Sequence, residues 1–129
     1  MTQSDTRGAA SESLDWARAA ALAIDDKRGL DIVVMDVAEM LQITEVFVIA
    51  TGTSRRHAVT LADAAKEQIG VDFDVRPLRS EGEEDGEWIL LDFGPVVVHV
   101  FQEDTRKFYD LERLWADAER IAVDLPGVQ

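Results

Sequence analysis

The chain has 129 residues, 47% of them hydrophobic and 30% charged, the make-up of one folded domain with a real core. It has no cysteine, which removes disulfides, thiol catalysis and cysteine-held metals, and no apolar run approaches the roughly 20 residues of a membrane span. A net charge of −13, from 26 acidic and 13 basic residues, disfavours broad nucleic-acid binding and favours a basic protein partner.

The start, "MTQSDTRGAASES", lacks the apolar centre of a signal peptide, so a cytoplasmic location is expected. Residues 1–10 and 124–129 are expected to be flexible tails around a single domain at 11–123. "SESLDWARAAALAIDDKR" predicts a first helix with Leu14, Ala17, Ala21 and Ile24 on one face. Lys27 and Arg28 suit its last turn, and Gly29 the left-handed position beyond it. "DIVVMDV" and "EVFVIATG" read as buried strands. Ser54 is placed to cap a second helix over 55–69, with Ala58, Ala62, Ala65 and Ile69 inward and Gly70 as its stop.

"DVRPLR" is a strand that Pro77 restricts to an edge, and "EGEEDGE" is an acidic loop. "WILLDF" and "VVVHVF" are strands joined by Gly94-Pro95, and a last helix near Thr105 spaces Phe108, Leu111 and Trp115 helically. The order αββαβββα implies an α/β fold, one mixed sheet of about five strands with helices packed on it.

A two-residue Gly94-Pro95 turn sets the hairpin register: Phe93 faces Val96, Leu91 faces Val98, and Leu90 faces His99. Alternation then puts Ile89, Leu91, Phe93, Val96, Val98 and Val100 on a wholly apolar face. Trp88, Leu90, Asp92, Val97, His99 and Phe101 share the other face, where Asp92 lies diagonal to His99 and within reach of a pair with it. That mixture of aromatics and sparse polar groups fits either a half-buried face under a helix or a recognition surface. Asp92-Phe93-Gly94 matches the metal-holding triplet of protein kinases, but the glycine-rich loop, strand lysine and catalytic loop are missing.

Arg55 and Arg56 stand in the first turn of the second helix, where cations oppose the macrodipole, so a carboxylate or a bound anion is expected near them. An enzymatic alternative is a small metal-dependent nucleotidyltransferase built on Ser54 and the Asp72/Asp74 pair. The Asp-x-Asp spacing suits a metal, but the pair follows a helix-ending glycine where a paired strand is needed.

The segments "DIVVMDV", "FVIATGTSRRHAV" and "EGEEDGEWILLDFGPVVVHVFQEDTRKFYDLERLW" together resemble the ribosomal silencing factor, or Iojap-like, family from about Leu14 to Ala118. The chain departs from the usual pattern at Glu45, Val46 and His57, and has Gly-Pro where Gly-Asp is typical of the hairpin turn. The resemblance implies a nucleotidyltransferase-like fold without the enzymatic carboxylates, and a role needing no cofactor or metal. It implies binding to the large ribosomal subunit through its fourteenth protein, a small β-barrel on the intersubunit face. Joining of the small subunit would be blocked sterically, and translation would fall when nutrients are scarce. A capacity for self-association is also implied. The expected recognition surface is Trp88, Leu90, Asp92, His99 and Phe101, with Arg106 and Tyr109 from the adjoining helix.

Overall fold

Ala17, Ala20, Ala21 and Ile24 line the buried side of α1 (Ser11–Asp26) in the computed structural model, which describes residues 8–126. Small side chains let α1 lie close against α2 (Arg55–Phe73), whose inner stripe is Ala58, Leu61, Ala62, Ala65 and Ile69. Ser54 caps α2 as expected, its Oγ accepting from the His57 N–H at 3.0 Å.

Both helix ends differ from expectation. α1 stops at Asp26, and Arg28, not Gly29, takes the positive φ of 66°. Gly29 is needed for space instead, because a Cβ there would lie 2.3 Å from Ile24 Cγ2. α2 runs past Gly70 to Phe73 and ends at Asp74, φ 57°. The Phe73 ring packs 6.3 Å from Trp16 of α1, and that burial outweighs the roughly 1 kcal/mol that a helical glycine costs.

The strands are β1 (Leu30–Asp36), β2 (Val46–Gly52), β3 (Arg79–Glu81), β4 (Trp88–Asp92), β5 (Val96–Gln102) and β6 (Glu119–Arg120). They form one mixed sheet in the order β3-β4-β5-β2-β1-β6. Only β2 and β5, at the centre, run parallel; the other neighbours are antiparallel. The α/β class with a single mixed sheet is as expected, with a sixth strand added. That strand is two exposed polar residues held by pairing of Met35 with Arg120 and Asp36 with Glu119, so no hydrophobic pattern announces it. The strand expected over "DVRPLR" is displaced beyond Pro77 to β3, which shares only Arg79 with it and takes in Glu81 from the expected acidic loop.

The β4–β5 hairpin has the expected register, with Phe93 N–H donating to the Val96 carbonyl at 2.9 Å and Leu90 opposite His99. Gly94 takes φ 95°, the conformation that a two-residue hairpin turn requires there. Ile89, Leu91, Phe93, Val96, Val98 and Val100 join Val34, Val46, Val48 and Ala50 in the main core beneath α1 and α2. Each fully buried aliphatic side chain contributes about 1.5–3 kcal/mol.

The opposite face carries a second, smaller core: Met35, Val37, Phe47, Ile49, Val97, Phe101 and Ala118, with Leu111 and Trp115 packed on it. Those last two residues flank or belong to α4 (Leu111–Leu114), which follows α3 (Glu103–Tyr109). The single helix expected from Thr105 is therefore two, broken at Asp110 by a left-handed φ of 49°. The break separates Phe108 from the Leu111–Trp115 stripe and leaves that residue 80% exposed.

Ala9 and Ala10 donate backbone N–H groups to the carboxylates of Asp36 and Glu45, and Val123 and Leu125 pack on the main core. The described parts of both expected tails are thus anchored. Their remainders, residues 1–7 and 127–129, lie outside the described residues.

Candidate functional site

The second sheet face becomes a surface where α3 and α4 leave β4 only partly covered. Trp88 and Leu90 stand half-buried on β4, and the Trp88 ring lies 4.6 Å from Tyr109 and 4.9 Å from Phe101. Tyr109, 49% exposed, meets Phe108 edge-on at 5.0 Å. Phe108, Tyr109 and Trp88 therefore form a continuous aromatic run, with Leu90 on the same face of β4. The expected recognition residues all gather around this face, but at different depths. Trp88, Leu90, Asp92 and Tyr109 reach solvent, whereas Phe101 (1% exposed) and His99 (4%) lie beneath them. Phe108 was missed as a surface residue because its helical spacing with Leu111 concealed the break at Asp110.

The geometry of His99 corrects one expectation. It does not pair with Asp92. The Trp88 Nε1–H donates to His99 Nδ1 at 3.1 Å, so the neutral ring carries its proton on Nε2, which is buried without a hydrogen-bond partner. Asp92 instead accepts the Gly94 N–H at 2.8 Å and lies 3.7 Å from the Arg79 guanidinium. Trp88 and Asp92 occupy the two diagonals from His99; the long indole spans its diagonal, while the short carboxylate is held by the turn. With no carboxylate beside it, burial lowers the His99 pKa from 6.5 to about 4, the reverse of what an Asp92 partner would do.

Arg106 is largely covered, at 11% side-chain exposure, and works inside the chain. Its Nε donates to Glu112 at 2.9 Å and its Nη1 to Thr51 Oγ1 at 2.8 Å, while Arg120 lies 3.8 Å from the same Glu112 carboxylate. This network fastens α3, and with it Tyr109, to the end of β2. Arg106→Met should lower stability by about 1–3 kcal/mol, since it leaves Glu112 and Thr51 short of their donor. Urea denaturation checks this; an unchanged midpoint would show the network to be dispensable.

Arg55 meets a backbone carbonyl, that of Glu84, where a carboxylate or a bound anion was expected. Its stem lies against Gly86, where an added Cβ would come within 2.5 Å of Arg55 Cγ. Together with the Lys66–Glu83 contact at 3.7 Å, this ties the acidic loop to α2. Arg56 is exposed. His57 accepts from the Thr53 N–H at 2.9 Å, and its Nε2 lies 2.9 Å from the Lys27 carbonyl, linking the start of α2 to the end of α1.

The catalytic alternative does not assemble. Ser54 and Asp74 cap opposite ends of the 19-residue α2, about 30 Å apart at helical rise. Asp72 lies in the last turn of α2 and accepts from Gln68 at 3.0 Å.

The sheet domain thus presents an aromatic run at its surface, beside a carboxylate held by a turn and an arginine. Residues 10–129 match the family described as "Ribosomal silencing factor during starvation", and the chain belongs to that family. It is 37% identical to "Ribosomal silencing factor RsfS" of Bacillus subtilis over 105 residues, 81% of this chain and 88% of that protein. It is 34% identical over 87 residues to the mouse protein "Mitochondrial assembly of ribosomal large subunit protein 1", covering 66% of this chain and 38% of the mouse protein. A crystal structure of a Chromobacterium violaceum protein superposes with a TM-score of 0.77 at 31% identity, covering 90% of this chain and 95% of that one. Among the described residues no helix is long and apolar enough to cross a membrane.

Proposed function

We propose that this protein represses translation in the cytoplasm under nutrient limitation by binding the large ribosomal subunit and sterically blocking the small one. The docking partner in this reading is the fourteenth protein of the large subunit, at the intersubunit face. The observation that carries the proposal is the run of exposed Phe108 and Tyr109 onto half-buried Trp88, on the face that also holds Leu90, in a chain of this family. A mouse relative named for assembly of the mitochondrial ribosomal large subunit points to the same target. No chemistry is required, because a folded domain occupying the intersubunit face is itself the obstacle. The net charge of −13 favours a basic protein over bare RNA phosphates, so little direct nucleic-acid binding is expected. Self-association through the same aromatic face would compete with docking.

Sedimentation with separated subunits tests this. The protein should travel with large subunits, and the fraction of unjoined subunits should rise as protein is added. Subunits lacking the fourteenth protein should lose the interaction, while naked ribosomal RNA should not compete. Association with small subunits alone, or with neither, overturns the proposal.

A further inference from the structure

His99 is the polar exception among the buried residues of β5, where Val96, Val97, Val98, Val100 and Phe101 are all apolar. Its Nε2–H, buried without a partner, carries a desolvation cost that an apolar residue of similar volume would avoid. Stability alone therefore does not account for a histidine here. Its other nitrogen accepts a hydrogen bond from the Trp88 indole N–H at 3.1 Å. The indole is unsymmetrical about its Cβ–Cγ bond, so turning the ring over swings both its six-membered ring and its single donor to new positions. A buried acceptor at a fixed point selects one of the two orientations. The imidazole is itself held, by Phe47 edge-on at 4.7 Å and by the near-parallel Phe101 ring at 6.2 Å. The selected indole orientation is the one that meets Tyr109 at 4.6 Å.

We propose, resting on the docking reading above, that His99 is a positioning residue whose Nδ1 fixes the orientation of the Trp88 indole. The aromatic surface is then ordered before any partner arrives, and binding need not supply that ordering. His99 touches no partner in this scheme; it acts through Trp88 alone.

The test compares His99→Leu and His99→Phe, which fill the space without an acceptor, with His99→Asn, whose side-chain oxygen stands close to where Nδ1 was. The Trp88 indole resonance is identified in nitrogen-15 spectra by its absence from Trp88→Phe. In the Leu and Phe variants that resonance should move and its hydrogen exchange should quicken by about tenfold or more. Affinity for purified large subunits should fall by about fivefold or more. His99→Asn should recover most of both effects. In a Trp88→Phe background, His99→Leu should change affinity no further. An indole signal and exchange rate unaltered in both acceptor-free variants overturns the positioning role. A freed indole with wild-type affinity overturns its relevance to docking. Wild-type protein that fails to bind large subunits defeats the docking role, while the indole readout, which needs no ribosome, still decides the orienting one.

Discussion

Trp88→Ala is expected to weaken binding to large subunits by about 2–4 kcal/mol, on the order of 30- to 1000-fold, the usual effect of truncating an interface tryptophan. Trp88 links the exposed rings of Tyr109 and Phe108 to the buried Phe101 and His99, so the substitution removes the centre of the surface. The indole is half-buried and also roofs His99, so some loss of fold stability accompanies the change. Affinity must therefore be measured on protein shown to be folded by circular dichroism at the working temperature. Trp88→Phe, which retains most of the apolar area, should lie between wild type and Trp88→Ala. If the folded fraction of Trp88→Ala binds as tightly as wild type, Trp88 serves packing only, and the recognition surface lies elsewhere.

The second large effect is on stability against pH. The unfolded chain protonates His99 near 6.5, whereas the buried ring resists until about 4. Between those values the unfolded state binds more protons, so stability is full above about pH 6.5, declines as pH falls, and levels off near 4. The gap corresponds to about 3 kcal/mol at roughly 1.4 kcal/mol per pH unit. Urea denaturation from pH 7 to 4 of wild type beside His99→Leu isolates this contribution, because carboxylates common to both cancel in the difference. The wild type should lose about 3 kcal/mol more than the variant over that range. Parallel stability curves would show that His99 is not desolvated in the folded protein.

The β4–β5 hairpin was legible in the sequence because every residue in it obeys one rule. Glycine at the turn sets the register, and strict alternation sorts the two faces. The Ser54 cap and the alanine stripes were legible for the same kind of local reason. Helix ends were not. Gly70 carries a helix-stopping signal, but Phe73 gains more by packing on Trp16 than the stop is worth. The break at Asp110 is likewise a tertiary choice, since it lets Leu111 and Trp115 turn onto the second core while Arg106 remains bonded to Thr51. Sequence spacing placed Trp88, Leu90, Asp92, His99 and Phe101 on one face, which the structure shares. It did not reveal depth, because burial depends on what α3 and α4 cover. Nor did it choose between the two diagonals from His99; that choice follows from side-chain length and from the Gly94 N–H competing for Asp92.

The parallel pairing of β2 with β5 has a consequence for the order of synthesis. β2 is buried along its whole length, and residue 46 lies beside residue 96. As the chain leaves the ribosome, β2 can pair with β1 at once, but its other edge waits for β5. At about 5–20 residues per second, that wait lasts about 3–10 s. During it, Val46, Phe47, Val48 and Ile49 form an apolar strand with one row of unpaired backbone groups, the kind of edge that recruits other chains. Premature termination before Val96 would leave that edge unpaired, so such fragments should be prone to aggregation. The centre of this sheet closes only once β5 has been made and can lie beside β2.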